Sequence, residues 1–174
     1  YASHLFFNPK GAFDIYRKIH TAPFEKQYFK AGNKIMVFQS HGLTFGIQLC
    51  YDAHFPELAL SMALKKADII FIPHASPRGS SREKYESWIR HLTARAFDNG
   101  LYIAACNQTG DNLKGLLFPG ISIFIGPDGK VIYKSVEKKE GIHIINIKKG
   151  LLNRVRSHKM RYFLPNRRSD LFKI

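Results

Sequence analysis

The chain has 174 residues, 45% of them hydrophobic and 13% aromatic, enough to build one domain around a core of its own. No apolar stretch approaches the ~20 residues that cross a bilayer, and two cysteines are too few for a disulfide framework, which points to a reducing, cytoplasmic setting. A formal net charge of +14 raises nucleic-acid binding, but the basic residues are spread along the chain and neither a zinc spacing nor a nucleic-acid motif accompanies them.

Residues 1–20 read as a hairpin, two strand-like runs about the turn signal Asn8-Pro9-Lys10-Gly11. The chain opens at Tyr1 directly in strand-like sequence with no signal-peptide pattern, so natural sequence upstream is expected. Residues 21–33 form a polar loop that carries Phe24, Tyr28 and Phe29. Residues 34–40 and 43–51 predict two strands around His41-Gly42. Pro56 fits the first turn of a helix, which "PELALSMALKKA" continues with strong helix formers and two lysines placed well for the helix dipole.

The run "DIIFIPH" at 68–74 reads as a strand covered on both faces. Ser80 or Ser81 caps the next helix, 81–99, whose Tyr85, Trp88, Ile89, Leu92, Ala96 and Phe97 recur at helical spacing before Gly100 stops it. Residues 101–107 predict another buried strand with Cys106 in the core, and 121–135 a hairpin about Asp128-Gly129. "GIHIINIKK" at 141–149 predicts one more strand, and the basic segment 151–174 an arm. Strand and helix alternate only in the middle, with hairpins at both ends. The fold class is therefore α/β or α+β, a mixed sheet layered with helices.

The stretch "FGIQLCYDAHFPE" places Cys50 between a strand and a helix. Such an elbow exposes a side chain at the carboxyl edge of a sheet, where α/β proteins put ligands, and the N–H groups just after it can receive an oxyanion. On spacing alone the small buried hydrophobe is the favoured reading of the cysteine, since free cysteine is among the most buried residue types. Lys18 reads as a solvated strand cation or as a site cation, and Glu25 as a loop charge beside Lys26 or as a site carboxylate. Asp52 suits an anchor for the elbow turn and Glu57 the positive end of the following helix. The histidines lack metal-ligand spacing.

Taken together, these stretches resemble the nitrilase, or carbon–nitrogen hydrolase, superfamily. "GIQLCYDAHFPE" is similar to its nucleophile motif, "YRKIH" (16–20) to its catalytic-lysine segment, and "FEKQYFKAGN" (24–33) to a loop carrying a second glutamate in its amidase and carbamoyl-hydrolase branches. "ADIIFIPHASP", "RAFDNGLYIAACNQTG", "GISIFIGPDGKVI" and "MRYFLPNRRSDLF" follow in the family's order, so the resemblance covers essentially the whole chain. The chain departs from the family at His54, where the family often carries arginine.

The resemblance implies part of a four-layer α-β-β-α sandwich, with residues 1–174 as the C-terminal two-thirds of a single domain. It implies Cys50 as nucleophile and Lys18 as the cation that meets the tetrahedral oxyanion together with the N–H of Tyr51. Glu25 would be the accessory glutamate, and His74 and Ala75 would line the substrate pocket. The family's general-base glutamate lies upstream of its lysine, and no glutamate precedes Lys18 here. Tyr-Asp after the cysteine and the Glu25 loop favour an amidase or N-carbamoyl amine hydrolase; the alternatives are a nitrilase proper and a non-catalytic binding or regulatory subunit. The implied chemistry uses no cofactor and no metal. The implied partners are a small amide or carbamoyl substrate and further copies of the same chain, through the helix 81–99 and segment 151–174, with no nucleic acid and no membrane.

Overall fold

The computed structural model describes residues 1–172 apart from Pro9 and Lys138. Strands β1 (Ser3–Phe7) and β2 (Phe13–Arg17) form the first hairpin; Pro9 of its turn lies outside the described residues. β3 (Val37–Ser40) and β4 (Leu43–Ile47) follow, then α1 (Pro56–Leu64), β5 (Ile69–His74), α2 (Ser81–Asn99) and β6 (Tyr102–Asn107). The short pair β7 (Gly110–Asp111) and β8 (Leu117–Phe118) precedes β9 (Ile121–Ile125), β10 (Val131–Ser135) and α3 (Lys149–Arg156).

Six strands make one mixed sheet in the order β10-β9-β6-β5-β4-β3. β4, β5 and β6 run parallel at its centre, and antiparallel strands flank them on each side. A parallel pair needs a crossover, and α1 and α2 supply the two. Both helices cover the face of the sheet that carries Gly46, Ile70, Ile72 and Ile103. Gly46 permits this, because a Cβ there would stand 2.5 Å from the Met62 sulfur of α1. From α2, Trp88, Leu92 and Ala96 complete that layer. The α2 start is a capping box: Ser80 Oγ accepts the Glu83 N–H at 3.1 Å and Glu83 Oε2 accepts the Ser80 N–H at 2.7 Å. On the opposite face the hairpin sets Phe6 against Phe38 and Phe45.

α3 is held to the body by its buried Leu152 and by two basic side chains, of which Lys149 donates to the Gly42 carbonyl at 2.9 Å. Arg156 donates to Asp68 Oδ1 (2.7 Å) and to the carbonyls of Ala67 (2.7 Å) and Gly100 (2.9 Å). These three acceptors sit in the loops that lead into β5 and β6, so the tether also braces the central strands. No helix among the described residues is long and apolar enough to cross a membrane.

Three sequence expectations need correction. The strand expected over 43–51 ends at Ile47, and Cys50 opens a 3-10 turn, Cys50–His54. The strand expected over 141–149 does not form: residues 141–148 lack a ladder partner, with Ile142 and Ile144 about nine-tenths exposed while Ile145 and Ile147 pack on the core. Alternation alone does not make a strand: β10 and β3 are the sheet's edge strands, yet the segment meets β10 through side chains, with Tyr133 Oη 2.7 Å from His143 Nδ1, and forms no ladder. Cys106 is exposed rather than core. The β5–β6 register pairs it with Pro73, on the face that α1 and α2 do not cover, together with the half-exposed Phe71.

Candidate active site

The site lies at the carboxyl ends of β4 and β5 and the end of β2. Just past β2, Lys18 is 3% exposed, and its ammonium donates to both oxygens of Glu25, at 2.8 and 2.7 Å. Glu25 ends a 3-10 turn begun by Pro23, and its Oε2 also accepts the Ala22 N–H at 2.7 Å. The loop returns to the strand through Gly32, whose N–H donates to the Lys18 carbonyl at 2.7 Å. Only glycine fits there, since a Cβ would run into the Arg17 carbonyl oxygen. Glycine at a close backbone approach is what lets the glutamate loop lie flat on the lysine strand.

Cys50 is partly buried and holds a left-handed backbone, φ 48°. A non-glycine residue in that region costs about 1–2 kcal/mol, and such strain gathers at functional sites. Asp52 holds the turn in place. Its fully buried carboxylate accepts the Leu49 N–H (3.0 Å) and Tyr16 Oη (2.8 Å) on one oxygen and the His20 N–H (2.7 Å) on the other. The His20 ring stacks on Phe55 with centroids 3.7 Å apart. One carboxylate thus fastens the lysine strand to the cysteine turn. Burial and the Asp52 charge push the Tyr16 phenol far above its ordinary range, so it stays protonated and donates to Asp52. Replacing Asp52 with alanine strands the buried Tyr16 hydroxyl and the part-buried Leu49 and His20 N–H groups, a buried donor costing about 1–3 kcal/mol when unpaired. We expect Asp52→Ala to lower unfolding stability by about 3–5 kcal/mol in urea denaturation.

The groups acting on the Cys50 sulfur define the site. Burial pushes the thiol up from its ordinary pKa. The Lys18 ammonium pulls it down, Glu25 pushes it up, and Lys84 and the Ala75 backbone pull it down. Lys18, Glu25 and the Ala75 backbone therefore lie close enough to act on Cys50. Tyr51 follows the cysteine in the same turn, its ring against Phe55 (5.4 Å) and His54 (5.6 Å). His74 is turned aside: its ring stacks on Trp88 at 4.2 Å and its Nδ1 lies 2.9 Å from the Ile72 carbonyl. Burial lowers its pKa to about 4, so it is neutral at physiological pH. From that loop it is the Ala75 backbone, not the histidine, that reaches the sulfur. At the point of departure noted for His54, Arg95 of α2 donates to the His54 carbonyl at 3.2 Å, so a guanidinium still braces this corner.

Two residues escape a reading of the sequence. Asn107, at the end of β6, accepts the Ser76 N–H (2.9 Å) and donates to the Ser76 (3.1 Å) and Pro119 (2.8 Å) carbonyls, fixing the loop beside the cysteine. Lys84 is 7% exposed and donates to Ser76 Oγ at 2.8 Å. Its position carried a signal, since it stands four residues before Trp88 on the apolar stripe of α2.

Among the described residues no group of three or more His, Cys, Asp or Glu side chains is placed to hold a metal ion. What remains is a partly exposed thiol flanked by two cations and one carboxylate, an arrangement suited to nucleophilic attack on a polarised carbon.

A family model described as carbon-nitrogen hydrolase matches residues 1–157. The "Probable nitrilase" of Schizosaccharomyces pombe is 33% identical over 159 residues, covering 91% of this chain and 56% of the relative. The N-carbamoylputrescine amidase of Arabidopsis thaliana is 28% identical over 176 residues, covering 92% of this chain and 58% of the relative. The crystal structure of a carbon-nitrogen hydrolase from Helicobacter pylori G27 superposes with a TM-score of 0.85 at 29% identity, covering 99% of this chain and 65% of that one. The chain thus spans a little over half the length of these two curated relatives.

Proposed function

Because the chain belongs to the carbon–nitrogen hydrolase family, we propose that it carries the cysteine portion of an active site that hydrolyses amides or N-carbamoyl amines. The observation that carries this reading is the convergence of Lys18, Glu25 and the Ala75 backbone on the Cys50 sulfur.

In the proposed reaction the Cys50 sulfur attacks the carbonyl carbon. Its proton passes to a carboxylate base, and the carbonyl oxygen becomes an oxyanion held by the Lys18 ammonium and the Tyr51 N–H. Collapse breaks the carbon–nitrogen bond, and the nitrogen leaves with the proton as ammonia or an amine. Water then hydrolyses the thioester, transferring its acyl group to oxygen and returning the thiol. Glu25 is committed to Lys18 and the Ala22 N–H, which supports an orienting role for it. We assign the base to a carboxylate in the part of the whole protein that these residues do not include.

We also propose that the protein works as a homo-oligomer through α2 and segment 151–174, where Met160, Leu171 and Phe172 are exposed. The test of the activity is release of ammonia or amine by the full-length protein from panels of amides, N-carbamoyl amines and nitriles. Turnover of either of the first two classes is expected. Turnover of nitriles alone would assign a nitrilase instead, and release from none of them would leave a binding subunit.

A further inference from the structure

The charge balance at Cys50 is uneven in a way the roles above do not use. Lys18 and Glu25 form a closed pair, with both glutamate oxygens on one ammonium. Their actions on the sulfur have opposite sign, so together they present little net charge to it. Lys84 differs. It is buried at the start of α2, its one hydrogen-bond partner is the neutral Ser76 hydroxyl, and no carboxylate among the described residues lies within salt-bridge distance. A buried ammonium without a counter-charge is costly and rarely kept without a purpose.

We propose that Lys84 is the uncompensated cation of the cysteine site: its charge holds the Cys50 thiolate, and its bond to Ser76 steadies the loop whose Ala75 backbone lies beside the sulfur. Lys84 is on this reading a positioning residue, acting through Cys50. The coupling runs both ways. Burial pulls the Lys84 ammonium below the usual lysine range, and a negative sulfur pulls it back up. The other titratable groups facing the pair are Lys18 and Glu25, which offset each other, and His74, uncharged at neutral pH.

This inference rests on Cys50 being the nucleophile, but its readout is the thiol itself. In full-length protein carrying Cys106→Ser, to remove the second free thiol, the rate of Cys50 alkylation by iodoacetamide is followed from pH 5 to 10. Lys84→Met is expected to shift the profile to higher pH and slow alkylation at pH 7 by about tenfold, the change in thiolate fraction for one pKa unit. Lys84→Gln, which keeps a donor for Ser76 without the charge, should behave the same way, and Lys84→Arg should restore the profile. A Lys84→Gln profile that superimposes on the parent overturns the inference and leaves Lys84 a structural prop. Loss of hydrolysis in Cys50→Ala alongside that result would leave the hydrolase reading standing alone.

Discussion

Cys50→Ala is expected to abolish hydrolysis of the best substrate, by about 10⁴-fold or more, while the protein stays folded. The size follows from the role: removing a covalent nucleophile removes the intermediate, and what survives is only the residual help of binding and charge. The fold should tolerate the change because alanine keeps the Cβ and accepts the same left-handed backbone as cysteine, at φ 48°. The turn is held by Asp52 rather than by the sulfur. A thermal midpoint within a few degrees of the parent, measured by circular dichroism, is the control. Activity that persists in a folded Cys50→Ala protein would remove the cysteine from the mechanism.

The thiol as the structure presents it is not self-activating. Burial raises its pKa, and the nearby cations only partly offset that. A thiol of ordinary pKa about 8.5 is already mostly protonated at neutral pH, so this one needs a base at the moment of attack. That requirement is what the proposed carboxylate base would meet.

Local chemistry made much of the fold legible. The Asp128-Gly129 turn, Pro56 at the start of α1 and the serine cap at the start of α2 each act within a few residues, and each was readable in the chain. Segment 141–149 alternates as well as any strand, yet whether its backbone pairs with an edge strand depends on how distant parts of the chain pack, and it does not pair with β10 or β3. Cys106 sits in as apolar a run as any core residue, but its face was decided by the register with Pro73. The site divides the same way. Lys18 and Glu25, seven residues apart, were ambiguous as isolated charges and took on roles only through the family resemblance. The Asp52 network joins residues 36 apart, and Asn107 braces a loop 31 residues away. Neither juxtaposition has a local spacing rule. Lys84 is the exception, a charge on a buried helical stripe and so marked by its spacing.

Lys18→Met is expected to cost about 10³-fold in turnover, near the 3–4 kcal/mol that one good oxyanion donor contributes. Two effects are combined in that figure. Methionine removes the cation proposed to meet the developing oxyanion, and it also leaves Glu25 without its ammonium beside the sulfur, where its charge pushes the thiol higher. The double variant Lys18→Met, Glu25→Gln separates them. It removes the stranded carboxylate, so Cys50 alkylation at neutral pH should return toward the parent rate. Hydrolysis should stay low, because nothing replaces the ammonium at the oxyanion. Comparing the two singles with the double gives the coupling between the residues directly. Hydrolysis that recovers together with alkylation would mean that Lys18 serves only to neutralise Glu25, and the oxyanion role would pass to another donor.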